Sequence, residues 1–137
     1  MDGCRSSRGA EMRRFMMSMV LAVAALPALA GEVTREEIRR VPVPGSDTMV
    51  VVVSRLTVPA GATIPLHIHP GDEHAVVVTA SRARAPDGRI VAFPVGATLY
   101  FPGGLPHGGL TNVGEGPMVA ITTSVVEAGK PFATPVE

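Results

Sequence analysis

From residue 49 onward the chain is a succession of short β-rich runs separated by proline and glycine, and the pattern predicts strands and turns. Met49 to Val58 contains four consecutive valines, Val50 to Val53. That run is too β-branched for a preferred helix and too evenly apolar for a strand with one wet face, so it is expected to be covered on both sides. Further strands are predicted at Thr63 to His69, His74 to Arg84, Arg89 to Phe93, Ala97 to Phe101 and Met118 to Val126. Pro86-Asp87-Gly88 supplies a turn. Thr34-Arg-Glu-Glu37 has the form of a capping box, which predicts a single helical turn ahead of Pro42 and Pro44. No other helix is expected. The tail from Gly129 to Glu137, with Pro131 and Pro135, is predicted to be extended, lying against a neighbour or loose.

Chemistry enters with the histidines. Three of the four fall in a spaced pattern, His67-Ile-His69-Pro-Gly-Asp-Glu73 followed by Pro102-Gly-Gly-Leu-Pro-His107. The period of two along a strand puts His67 and His69 on one face, and the Pro70-Gly71 turn returns the chain with Glu73 beside them. With His107 arriving from a separate hairpin, these residues supply four ligands for one metal ion. Imidazoles with one carboxylate suit a divalent transition ion: iron, manganese, nickel, copper or zinc. His74, next to Glu73, should point to the opposite side of its strand.

These positions resemble the motifs of the cupins, G-x5-H-x-H-x3-E-x6-G and G-x5-P-x-G-x2-H-x3-N. Gly61, His67, His69 and Glu73 match the first, and Gly96, Pro102, Gly104 and His107 match the second. Two positions depart: Ala80 replaces the final glycine of the first motif, and Thr111 stands at the asparagine position of the second, with Asn112 one residue late. Both concern turn geometry more than metal binding. The resemblance, from about Met49 to Val126, implies an all-β fold, a single-domain jelly roll or conical barrel closed so that few edges remain. It implies the metal but not the reaction, because one fold serves many activities.

Three imidazoles and one carboxylate leave a six-coordinate ion two open positions for water, dioxygen or a bidentate substrate. The readings this leaves are a metal-dependent enzyme, of the oxygenase or isomerase class, acting on a small oxygen-bearing molecule; a module that binds or senses a small ligand without turnover; and a metal-stabilised structural domain, favoured if a side chain such as Met118 blocks the open positions. No catalytic residue is assigned, although Glu73 is the available base in some schemes. The mature chain has no cysteine, and no serine has a partnered base. The pocket should be narrow and mostly aliphatic. Of Tyr100 and Phe101, one is a candidate to face it, with core packing as the alternative. Arg82 and Arg84 alternate onto one face, expected to be solvated.

Residues 1–30 read as a signal peptide. Arg13 and Arg14 precede an apolar run, Met16 to Ala30, too short to span a bilayer and ending in Ala28-Leu29-Ala30. Cleavage after Ala30 leaves residues 31–137 as one domain, periplasmic or secreted, with no membrane association. Arg13-Arg14-Phe15-Met16-Met17 also fits a twin-arginine signal. Eight Lys and Arg against ten Asp and Glu in that domain give a net charge near −2, which argues against a nucleic-acid partner. The valine run suggests a partner of another kind, a second copy in a homodimer.

Overall fold

The computed structural model describes residues 30–136. Among them are ten strands and no helix: β1 (Thr34–Pro42), β2 (Met49–Val58), β3 (His67–Ile68), β4 (Glu73–Thr79), β5 (Ser81–Arg84), β6 (Ile90–Phe93), β7 (Thr98–Phe101), β8 (Thr111–Asn112), β9 (Met118–Glu127) and β10 (Thr134–Pro135). A five-stranded antiparallel sheet runs in the order β1-β2-β9-β4-β7; a three-stranded sheet is ordered β6-β5-β8, and β10 pairs with β3. The all-β jelly roll expected from the motifs is what forms.

The long strands follow the predicted alternation. In β9 every second residue from Met118 to Val126 is buried, and in β4 Glu73, Ala75 and Val77 are buried while His74, Val76 and Val78 are exposed. Val58, Val77, Ala83, Phe93 and Met118 form the core, which joins the five-stranded sheet to the three-stranded one. Each fully buried valine contributes on the order of 1.5 to 3 kcal/mol relative to an exposed one. The valine run divides between faces: Val52 is 1% exposed, whereas Val51 and Val53, paired with Val125 and Thr123, are half-buried on the outer face. Two-sided coverage is therefore not met within one chain.

Three sequence expectations are corrected. Residues 34–37 are not a helical turn. They open β1, which pairs with β2 from Thr34↔Thr57 to Pro42↔Val50, with Ile38 as the extra residue of a bulge. A lone turn is costly to nucleate, and pairing along a ten-residue strand outweighs the local capping signal. The stretch Thr63 to His69 is strand only at His67–Ile68, with an isolated bridge at Thr63↔Thr111, because Pro65 and Pro70 cannot donate to a ladder. The tail is extended, as expected, but it is not loose: it lies on its own chain. Thr134 and Pro135 pair with Ile68 and His67, and the Val136 amide donates to the Leu66 carbonyl at 3.1 Å. The leader reading falls on residues 1–29, outside the described residues.

Candidate metal centre

The backbone sets the positions of the histidines before any side chain does. His67 and His107 face each other across an antiparallel bridge, each amide donating to the other's carbonyl at 2.9 Å. The Gly104 amide donates to the His69 carbonyl at 2.8 Å, tying the loop that leads to His107 to the segment just after β3 that carries His69. Gly104 sits at φ +75, where a side chain is strained, and a Cβ on Gly71 would run into the Val125 carbonyl. These glycines let the two motif loops close on the sheet.

Side chains converge from there. One ring nitrogen each of His67, His69 and His107 lies within 4.8 Å of the other two, close enough to hold a metal ion. His67 Nε2 is 3.1 Å from His69 Nε2. Glu73, 3% exposed, places Oε2 at 3.1 Å from His69 Nε2 and 3.5 Å from His107 Nε2. The three histidines predicted as ligands thus gather around one point, and Glu73, the fourth, adjoins His69 and His107. His74 points away, as its strand parity requires, and stacks on the exposed Tyr100 ring at 4.9 Å. Arg82 and Arg84 are exposed, as expected. Phe101 rather than Tyr100 faces inward, its ring stacked on His107 at 4.3 Å and 12°.

The outer nitrogens decide what the inner ones can hold. His67 Nδ1 meets the Pro65 carbonyl at 2.7 Å, His69 Nδ1 the Phe132 carbonyl at 2.7 Å, and His107 Nδ1 the Leu105 carbonyl at 3.1 Å. A carbonyl only accepts, so each neutral ring carries its proton on Nδ1 and turns an Nε2 lone pair inward. With Glu73 ionised, the inward groups are all acceptors. Lone pairs 3.1 Å apart repel unless a cation lies between them. His107 Nε2 is buried without a hydrogen-bond partner among the described residues. Ligands bound at about 2.1 Å lie about 3.0 Å apart in octahedral and about 3.4 Å apart in tetrahedral geometry, which matches the 3.1 and 3.5 Å edges of this cluster. The donor set fits a divalent transition ion.

Burial works to raise the Glu73 carboxyl, but in the metal-free site a proton on His69 Nε2 donated to the carboxylate, and the charge of Arg35, outweigh that and hold it down to about 2; a bound ion would take that proton's place. Burial lowers the His67 imidazole below its ordinary value, keeping the ring neutral as a ligand must be. The Glu73 Oε1 atom accepts from Arg35 Nη1 at 2.8 Å, and the same nitrogen donates to Thr122 Oγ1 at 2.7 Å. Arg35 and the Phe132 carbonyl are functional groups that the sequence reading missed. The capping-box pattern puts Arg35 in a helical turn; only as a strand residue opposite Leu56 does it face the interior.

A cavity of about 60 Å³ adjoins the histidines, walled by Leu56, Ile64, Phe93, Leu99 and Met118. Met118 borders this space and does not fill it. A second cavity, of about 230 Å³, lies between β1, β3 and the tail, lined by Val33, Ile64, Pro65, Ala133 and Pro135. Arg35 and His67 belong to the walls of both.

The departures from the second motif prove local. Asn112, 1% exposed, donates through Nδ2 to the carbonyls of Val58 and Gly116 at 2.8 and 3.0 Å, and its Oδ1 accepts from the Gly114 amide and from Ser81 Oγ at 2.9 and 2.6 Å. Thr111 Oγ1 meets Thr63 Oγ1 at 2.7 Å. Both residues secure turns away from the histidines.

The Cupin domain family model matches residues 54–124, more than half of the chain. The protein is a cupin. Solved structures agree on the fold. A cupin domain from Bordetella pertussis Tohama I is 17% identical with a TM-score of 0.54, covering 72% of this cupin and 97% of that chain. The polyketide cyclase RemF from Streptomyces resistomycificus is 22% identical at a TM-score of 0.56, over 79% and 73% of the two chains. The DMSP lyase DddQ from Ruegeria pomeroyi DSS-3 is 18% identical at 0.56, and the shared part covers 76% of this cupin and 51% of the lyase. Comparison with curated proteins gave no significant sequence match.

Proposed function

We propose that this cupin holds one divalent transition ion on His67, His69, Glu73 and His107 and acts on a small oxygen-bearing molecule bound in the adjoining cavity. The observation that carries the reading is the set of three imidazoles whose Nδ1 atoms are all engaged by backbone carbonyls while their Nε2 atoms converge with the Glu73 carboxylate. Oxygenase or isomerase chemistry suits such a centre, and enzymes such as RemF and DddQ share the fold. When bound, the ion supplies Lewis acidity, or redox capacity if it is iron, manganese or copper. The chain's own residues do the rest. The carbonyls of Pro65, Leu105 and Phe132 hold the ring tautomers, Arg35 orients Glu73, and the aliphatic walls exclude water from a space that holds roughly two water molecules' volume.

A specific observation favours a second reading, capture of a ligand without turnover. A carboxyl held at about 2 is a poor base near neutral pH, and Glu73 is the sole carboxylate lining either cavity. Turnover of candidate substrates by the metal-loaded protein, with oxygen uptake monitored, separates the two. The metal itself is tested by elemental analysis of protein purified from its native compartment. One ion per chain is expected in the wild type and none in His69→Ala; full occupancy in the variant overturns the assignment. The leader supports export to the periplasm or beyond, which cell fractionation tests. The half-covered valines of the outer sheet face support a homodimer.

A further inference from the structure

We propose that Arg35 forms an anion subsite beside the metal centre and that the ligand of this cupin is a small organic carboxylate with a short aliphatic chain. The inference rests on the metal reading above and names the ligand class that the same site takes.

Charge is the first argument. The lining residues of the two cavities include one cation, Arg35, and one carboxylate, Glu73. These pair at 2.8 Å and cancel. With three neutral imidazoles, a divalent ion would leave the site with the ion's full double charge, in walls that are otherwise almost wholly apolar. A bound anion relieves that imbalance, whereas a neutral ligand does not.

The second argument is the geometry of Arg35. Among the described residues its side chain donates only through Nη1, to Glu73 and Thr122. A guanidinium has five N–H donors, so most of the fork is uncommitted. The side chain is 23% exposed and belongs to the walls of both cavities, and its plane is steadied by the Phe132 ring, 4.9 Å from Cζ. A planar fork held in place is suited to a planar carboxylate.

Size and wall chemistry narrow the class further. The inner space is only about 60 Å³, and the outer one is walled by Val33, Leu56, Ile64, Pro65 and Pro135, which offer no side-chain donors. Inorganic phosphate has no apolar part to set against these walls. A carboxylate head with an alkyl chain of a few carbons satisfies both the charged and the apolar parts.

The experiment is calorimetric titration of the metal-loaded protein with propanoate and with propanamide, which has the same shape and no charge, repeated on protein stripped with a chelator and with metal content measured throughout. Propanoate should bind at least about tenfold more tightly than propanamide, and Arg35→Gln should reduce that preference about 10- to 100-fold. Arg35→Lys keeps the charge without the fork; it decides the case if Arg35→Gln fails to fold or loses metal, and it should still cost several-fold in propanoate affinity while leaving propanamide unchanged. Equal binding of the two probes by wild type, an undiminished preference in a folded Arg35→Gln, or tighter binding of inorganic phosphate than of propanoate would overturn the proposal. A protein that takes up no metal yet keeps an Arg35-dependent preference for propanoate would overturn the metal reading alone.

Discussion

Removing the tail, residues 131–137, should weaken the metal centre although the tail carries none of its four proposed ligands. The Phe132 carbonyl is the acceptor for His69 Nδ1 at 2.7 Å, and β10 holds that carbonyl in place through its pairing with β3 and the Val136-to-Leu66 hydrogen bond. Without it, His69 can place its proton on either nitrogen, and one of those tautomers cannot ligate through Nε2. Loss of an outer hydrogen bond of this kind costs about 10- to 100-fold in metal affinity, or about 1.4 to 2.8 kcal/mol. The tail's ring adds a separate effect, since Phe132 packs edge-on against His69 at a centroid distance of 4.7 Å. Phe132→Ala keeps the carbonyl and removes the ring, so its effect on affinity should be less than about threefold, while apo stability falls in both variants. Competition of each protein with a metallochromic chelator gives the dissociation constants, and circular dichroism checks the fold. Wild-type metal affinity in a folded truncation would refute the assignment of the tail to the His69 proton, and equal losses in both variants would transfer the effect from the carbonyl to the ring.

Three further outcomes are expected. The metal-free protein should lose stability steadily as pH falls below about 6.5. His67 is depressed below its ordinary value, so the unfolded chain takes up a proton that the native state refuses. The Glu73 contribution, about 3 kcal/mol for a carboxyl moved from 4.5 to about 2, is present above pH 4.5 and lost as pH falls toward 2. Urea unfolding across that range measures it, and stability independent of pH between 7 and 3 would contradict both assignments. Asn112→Ala should destabilise the fold by about 3 to 4 kcal/mol, because one buried and three part-buried hydrogen bonds lose their partner, without changing metal stoichiometry; a cost below about 1 kcal/mol in denaturant melts would show that water replaces the amide. The outer sheet face exposes Val76, Val78, Val125 and Tyr100, so light scattering should give a dimer mass at micromolar concentration and Val76→Lys a monomer. A monomeric wild type would sink that expectation.

The ligand motifs were legible in the sequence because their geometry is local. The His67-x-His69 spacing keeps two imidazoles together, and the three residues Pro70 to Asp72 bring back Glu73; His107 lies farther away, but its loop carries its own glycine and proline markers. Met49–Val58 was legible for the same reason, a run of β-branched residues that no other element accommodates. What surrounds the ligands was not legible. Arg35 reaches Glu73 across 38 residues, and the Phe132 carbonyl reaches His69 across 63. Each depends on strand register between distant segments, and neither residue carries a local signal of it: Arg35 sits in a sequence that by itself suggests a helix cap, and Phe132 in a proline-flanked tail that suggests none. Local propensity is worth a few tenths of a kcal/mol per residue, whereas a full edge of β-sheet hydrogen bonds and buried side chains sums over many residues, so pairing overrode both signals. Residue types and short spacings therefore determined which side chains converge, and only the assembled sheet decided which tautomers, charges and walls they meet there.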